Sequence, residues 1–491
     1  MQPCELGMGS RKPHVAIFPS AGMGHLIPSA EFAKRLSADH GFTVTFITCK
    51  WMFSGFRLQQ AYSERIASLR GFDVRFVQLP HVEIEEEAQH MKVETLVSKL
   101  LEKSKGFVES ALTSLQIDDS FSPLSAFITD FFCSTMFDVT AKLHIPTYLF
   151  FTSPASLLSV MLCLPKLASE TQVSFKDADF SIEVAGVPPI PAKDLPTPVQ
   201  DRSDEVFYWF VHHSSRLREA TGILLNTFEE LESEQIKALR EGKVNPSDPR
   251  RMPHIYPVGP LISSSPVEYE ADCLKWLDNQ APSSVLFVSF GSGVVMSREQ
   301  ITELALGLDA SGHRFLWVLR SPSSTFLSIN DSDVSELLPQ GFEDRCKDRG
   351  VVVPSWAPQI PILSHPSTRG FLSHCGWNSS LESISHGVPM IAWPVFAEQK
   401  MNKILLVNDF KVALEAKMDS DGFVKREEVE RAVRELMEGE AGMAVRERTR
   451  ELKEKAASAL AEGGSSYKAM ADAVSDWGKH AANSAATVPD T

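Results

Sequence analysis

The chain has 491 residues and a mass of 54.4 kDa, too long for a single small module and long enough for two or three domains. Hydrophobic residues make up 43% and charged residues 23%, the balance of a chain that buries large cores and not of a disordered one. A formal charge of −15 opposes attraction to phosphate backbones and anionic bilayers, so nucleic acid and membrane surfaces are excluded as expected partners.

Residues 1–12 carry Glu5, Arg11 and Lys12 without the apolar core of a secretory signal. Seven cysteines lie far apart with no CxxC pair, which predicts reduced thiols and a cytoplasmic location. Residues 15–18 form a short apolar run, followed by Gly22-Met23-Gly24-His25 and a helical pattern of Ile27, Phe32, Ala33 and Leu36: strand, glycine turn, helix. Further strands are predicted at 44–47, 74–77, 126–129, 148–151 and 223–226, with helices over 92–115, 134–143 and 227–239. The long uncharged stretch 145–165 is broken by Pro154 and several hydroxyl residues, so it reads as buried core and not as a membrane span.

Six prolines, from Pro246 to Pro266, stiffen 245–266, which predicts an interdomain linker. A second strand series follows at 285–290, 315–319, 351–353, 370–373 and 390–393, then an exposed loop over 321–339 and helices over 427–438 and 444–461. The predicted fold is α/β: two Rossmann-like domains, 1–244 and 267–461, with parallel sheets facing a central cleft. The segment 462–491 is expected to pack back on the first domain and to fray from 483.

Open α/β sheets bind ligands beyond the carboxyl ends of their strands, and the residues there are rich in chemistry. His374-Cys375-Gly376-Trp377-Asn378-Ser379 follows a strand and opens a helix, whose free amides favour an anion, with His374, Asn378 and Ser379 as added donors. Glu382 lies one turn beyond Asn378, spaced for ribose hydroxyls. Trp356 and Gln359 end another strand, where an aromatic face can stack on a base. Glu398 beside Gln399 offers an acceptor and a mixed donor-acceptor group suited to vicinal sugar hydroxyls.

From Trp356 to Gln399 the chain resembles the signature box of the plant secondary-product UDP-glycosyltransferases. The resemblance runs from Gly22-Met23-Gly24-His25 through Asn226-Thr227-Phe228 to Glu398-Gln399-Lys400-Met401-Asn402, and looks most similar to the hydroquinone and phenylpropanoid glucosyltransferases. It implies a GT-B fold, an N-terminal acceptor domain, a C-terminal UDP-sugar domain and an inverting mechanism. It also implies that no metal or other cofactor takes part, with UDP-glucose as co-substrate, and that the enzyme works as a monomer on a small phenolic, phenylpropanoid or flavonoid-type hydroxyl.

Carried over position by position, Trp356 stacks on uracil, Gln359 and Glu382 hold ribose, and Ser292, His374, Asn378 and Ser379 hold the diphosphate. Trp377, Glu398 and Gln399 bind the sugar, Gln399 resembling the UDP-glucose users, and Thr152 lies near the sugar 6-hydroxyl. His25 is the base and Asp130 its charge partner; an imidazole is suited to take an acceptor proton near neutral pH.

Other readings stand beside these. Asp130 can cap the helix after its strand, and Trp377 can be a core aromatic. Arg369 replaces a residue that is usually small in the family, which puts donor affinity or a nearby loop in question. Three Asp-x-Asp stretches, such as Asp419-Ser420-Asp421, sit in polar loops and not at strand ends, against metal use. C-glycosylation of an activated phenolic ring would use the same site and give an acid-stable linkage. A non-catalytic nucleotide-sugar binder would need the donor box but not His25 with Asp130.

Overall fold

Continuous apolar runs form the central strands of two sheets, as required where helices cover both faces. The computed structural model describes residues 12–20, 22–49, 69–83, 91–118, 120–263, 271–291, 293–321 and 334–486, with side chains to 479. In the first half, β1 (His14–Phe18), β2 (Thr43–Cys49) and β4 (Leu124–Thr129) are buried at every position. With β3 (Val74–Leu79), β5 (Thr147–Phe151), β8 (Gly222–Leu225) and β9 (His254–Pro257) they form a seven-stranded sheet in the order β3-β2-β1-β4-β5-β8-β9. All its pairings are parallel. The hairpin β6 (Ser181–Val184) and β7 (Val187–Pro191) lies outside that sheet.

The second half repeats the plan with β10 (Val285–Ser289), β11 (Arg314–Leu319), β12 (Gly350–Pro354), β13 (Thr368–Ser373), β14 (Met390–Ala392) and β15 (Ala413–Glu415). Their order is β12-β11-β10-β13-β14-β15, again parallel throughout. In each sheet the order reverses beside its first strand, between β1 and β4 and between β10 and β13. These switch points open the crevices in which such folds hold ligands. The architecture is the predicted one, two Rossmann-like units in a GT-B arrangement.

Several local expectations give way to tertiary contacts. The proline-rich stretch 245–266 is not all connection: His254–Pro257 pairs with β8 as the edge of the first sheet, a place that tolerates proline at a strand end. The helix expected over 227–239 begins only at Ser233, because Glu232 is buried and spends its carboxylate on the amides of Ala155 and Ser156, capping helix Ala155–Glu170. The expected loop over 321–339 lies mostly outside the described residues, and its described end holds a turn of 3-10 helix, Ser335–Leu337.

The last helix, Ser465–Ala486, runs past the point where fraying is expected and lies against the first half. Its fully buried Trp477 packs edge-on to Phe32, Phe42 and Tyr148. No described helix is long and apolar enough to cross a membrane.

Candidate active site

Beyond the carboxyl end of β1 the chain turns into helix Met23–His40, which puts His25 in the first helical turn. Beyond β4, the next strand across the switch point, Asp130 leaves the sheet. The two meet at 3.1 Å, His25 Nδ1 to Asp130 Oδ2. Asp130 is buried, and its Oδ2 also accepts from the backbone N–H and the hydroxyl of Ser20, each at 2.7 Å. Oδ1 accepts from the Phe132 amide at 3.2 Å and caps the 3-10 helix Phe131–Met136. Helix cap and histidine partner are therefore both true of Asp130, one oxygen for each.

Burial pulls the His25 pKa down, but the charge and hydrogen bond of Asp130 and the nearby Glu398 outweigh it and leave the ring above its ordinary value. Burial raises the Asp130 carboxyl, and His25 with Ser20 more than offsets this, holding it below the usual range. Because Nδ1 faces the carboxylate, its proton stays there and Nε2 is left as the basic nitrogen. Thr152, at the end of β5, lies 3.3 Å from the same Nδ1, so it touches the His25 ring directly. The Phe132 ring stands edge-on to His25, with centroids 5.5 Å apart.

Across the cleft, β13 ends at Ser373 and helix Trp377–His386 starts four residues later. His374 fits between two glycines. A Cβ on Gly291 would lie 2.6 Å from its ring and one on Gly376 2.4 Å, so only glycine admits the imidazole. Burial lowers its pKa to about 4, and its Nδ1 is buried without a hydrogen-bond partner. A neutral ring at the helix start is a donor or acceptor and not a fixed charge.

Gln359, at the start of helix Gln359–Ser364, donates from Nε2 to Ser379 Oγ at 2.9 Å and to Glu382 Oε2 at 2.6 Å, so these three come together. Trp356 follows the end of β12 and is 49% exposed, a large apolar face open to solvent. Asn378 is half-buried and reaches the other half, its Nδ2 donating to the Gly24 carbonyl at 3.0 Å. Ser292 lies outside the described residues.

Two expectations on the sugar side change. Trp377 does not present its ring to the cleft: the side chain is buried in the second core, and Nε1 donates to the Asn226 carbonyl at 2.8 Å. The joint spacing of the motif hides this, because a helix start can offer its backbone N–H outward while its side chain packs inward. Gln399 is buried, and its Oε1 accepts from the amides of Val395 and Phe396 at 2.8 and 3.0 Å. Only its Nε2 side remains for a ligand. Glu398 immediately precedes the short helix Gln399–Ile404 without a side-chain capping bond, and burial raises its pKa despite His25 and Asn402.

Arg369 stands at the amino end of β13, away from the cleft, where Nε donates to the Met437 carbonyl at 2.7 Å. Asp419 accepts from the amides of Asp421 and Phe423, an ordinary turn. Sequence reasoning missed Ser20, Phe132 and the pair Thr197–Ala397, in which the Thr197 amide donates to the Ala397 carbonyl at 2.9 Å beside Glu398. The glycine turn marks Ser20 only by proximity, and nothing local marks the others.

The family profile described as UDP-glucoronosyl and UDP-glucosyl transferase matches residues 230–443. UDP-glycosyltransferase 72B1 of Arabidopsis thaliana is 44% identical over 96% of this chain and 97% of its own length. Hydroquinone glucosyltransferase of Rauvolfia serpentina is 43% identical over 95% and 98%. The solved structure of Phytolacca americana UGT2 complexed with UDP-2fluoro-glucose and pterostilbene is 41% identical, covers 95% of this chain and 100% of that one, and superposes with a TM-score of 0.84.

Proposed function

The chain belongs to the UDP-glucoronosyl and UDP-glucosyl transferase family and is a UDP-glycosyltransferase, and from that premise we propose that it moves glucose from UDP-glucose to the hydroxyl of a small phenolic acceptor with inversion. The observation that carries this reading is the His25–Asp130 pair, which stands on one half and faces the helix start at Asn378 on the other. The phenols in the names of similar proteins, hydroquinone and pterostilbene, support the acceptor class.

In this reading UDP lies along the second half. Trp356 stacks on the base, Gln359 and Glu382 take the ribose, and the amides at Trp377–Ser379 with His374 and Ser292 meet the diphosphate. Glu398 and the Nε2 of Gln399 take sugar hydroxyls. The acceptor oxygen attacks the anomeric carbon from the side opposite the phosphate, so the C–O bond to UDP breaks as the new one forms and the configuration inverts. His25 Nε2 takes the acceptor proton, and Asp130 stabilises the imidazolium that results. The leaving diphosphate is stabilised by helix amides and side-chain donors already in place. A monomer in the cytosol, without a metal cofactor, completes the proposal.

A panel of phenols with UDP-glucose, UDP-galactose and UDP-xylose, read by product mass and anomeric coupling, tests it. A β-O-glucoside is the expected product; no transfer from any of the sugars, with slow UDP release throughout, would make the chain a binder.

A further inference from the structure

Gly24 lies in the first turn of helix Met23–His40, and the carbonyl of a helical residue is normally taken by the N–H four positions on. Four positions beyond Gly24 is Pro28, inside the helix and without an N–H. The Gly24 carbonyl accepts from Asn378 Nδ2 at 3.0 Å instead. That donor is the second residue of helix Trp377–His386, whose start faces the cleft from the other half.

A carbonyl accepts only from the NH2 side of a carboxamide, which fixes the orientation of Asn378. Its Oδ1 is buried and has no hydrogen-bond partner. One N–H is committed to Gly24, and the second remains for an anion at the helix start.

On the reading of His25 as base, we propose that Asn378 is a positioning residue for His25, coupling the diphosphate of the donor to the placement of the imidazole through the carbonyl that Pro28 leaves free. Gly24 directly precedes His25, whose own amide is held by the Gly22 carbonyl at 3.1 Å. Tilting the Gly24–His25 peptide turns the Cα–Cβ bond of His25, and with it Nε2, about the contact to Asp130. A diphosphate that takes the second N–H draws the carboxamide and the Gly24 carbonyl together toward the helix start. The base is then placed most firmly when donor is bound.

The test separates placement of the base from affinity for phosphate. Asn378→Ala is expected to lower kcat about 10- to 100-fold with a phenol neutral at the assay pH, the loss typical of a reacting group misplaced by about 1 Å. With an acidic nitrophenol already ionised at that pH no proton has to be removed, and the loss should shrink by about threefold or more, what remains being the N–H lost from the diphosphate. In a His25→Ala background, Asn378→Ala should cost with the neutral phenol no more than it costs the otherwise unaltered enzyme with the nitrophenolate.

Pro28→Ala returns an N–H to the Gly24 carbonyl and loosens the hold of Asn378 on it. It should show the same dependence on acceptor ionisation while the calorimetric Kd for UDP stays unchanged. It also carries the test alone if Asn378→Ala fails to fold.

Equal losses with both phenols in either variant, or a full additional loss in the His25→Ala background, overturn the proposal and leave Asn378 a phosphate ligand only. A His25→Ala defect that persists with the nitrophenolate overturns the base assignment itself, and the proposal with it.

Discussion

Asp130 divides its two oxygens between a helix cap and a histidine, and on the proposed mechanism that division sets the pH behaviour of the site. His25 sits above its ordinary pKa because Asp130 and Glu398 outweigh burial. A base works only when neutral, so the acidic limb of kcat/KM for the acceptor should fall above pH ~6.5. Asp130→Asn removes the largest raising influence and leaves burial, which lowers the ring. The acidic limb should move to lower pH while turnover drops, and a limb that stays in place would separate the two residues. His25→Ala should cost about 10² to 10⁴ in turnover with neutral phenols, measured by product formation. Gln399→Glu keeps an oxygen on the Val395 and Phe396 amides but replaces the Nε2 donor with an acceptor. It should raise the KM for UDP-glucose without unfolding the loop.

At the scale of single elements, the crevice in the second half depends on close approach between backbone and ring. Gly291 has φ +70 and no room for a Cβ beside His374. Gly291→Ala is expected to push the imidazole from its place and weaken UDP binding about tenfold or more, as read by calorimetry, since backbone strain and displacement of a ligand group act together. The strand before Gly291 was legible, and the segment around His374 was legible as strand, turn, helix. Apolar runs that end in glycines specify the elements, and the chemistry collects at their carboxyl ends. Trp377 shows where this logic stops: spacing places it at a helix start but does not say which way its indole points. The core around it decided that, by supplying the Asn226 carbonyl as a partner for Nε1. The strand His254–Pro257 was illegible for a similar reason, because prolines argue against strands unless a sheet edge is there to receive them.

For the molecule as a whole, the two halves are joined by more than the connection between their sheets. Helix Ser465–Ala486 returns to the first half, where Trp477 fills a space among Phe32, Phe42 and Tyr148. Trp477→Ala should destabilise the protein by about 3–5 kcal/mol, a cavity cost that thermal denaturation would register as a lower Tm, and an unchanged Tm would deny that the helix holds this half. Across the cleft, Asn378 holds Gly24 and Thr197 holds Ala397, so hydrogen bonds run between the two halves beside the candidate site.

The sequence by itself determined the two βα series, the doubly wound class and the residue types at the strand ends. These follow from local periodicity and from glycine, whose consequences stay within a few residues. The tertiary structure alone decided that Asp130 serves both His25 and a helix cap, that Trp377 turns inward, that Gln399 spends its oxygen on its own loop and that Asn378 meets Gly24. Each of those outcomes depends on where a partner far along the chain arrives, and hydrogen bonds within reach are settled only once packing has brought donor and acceptor together.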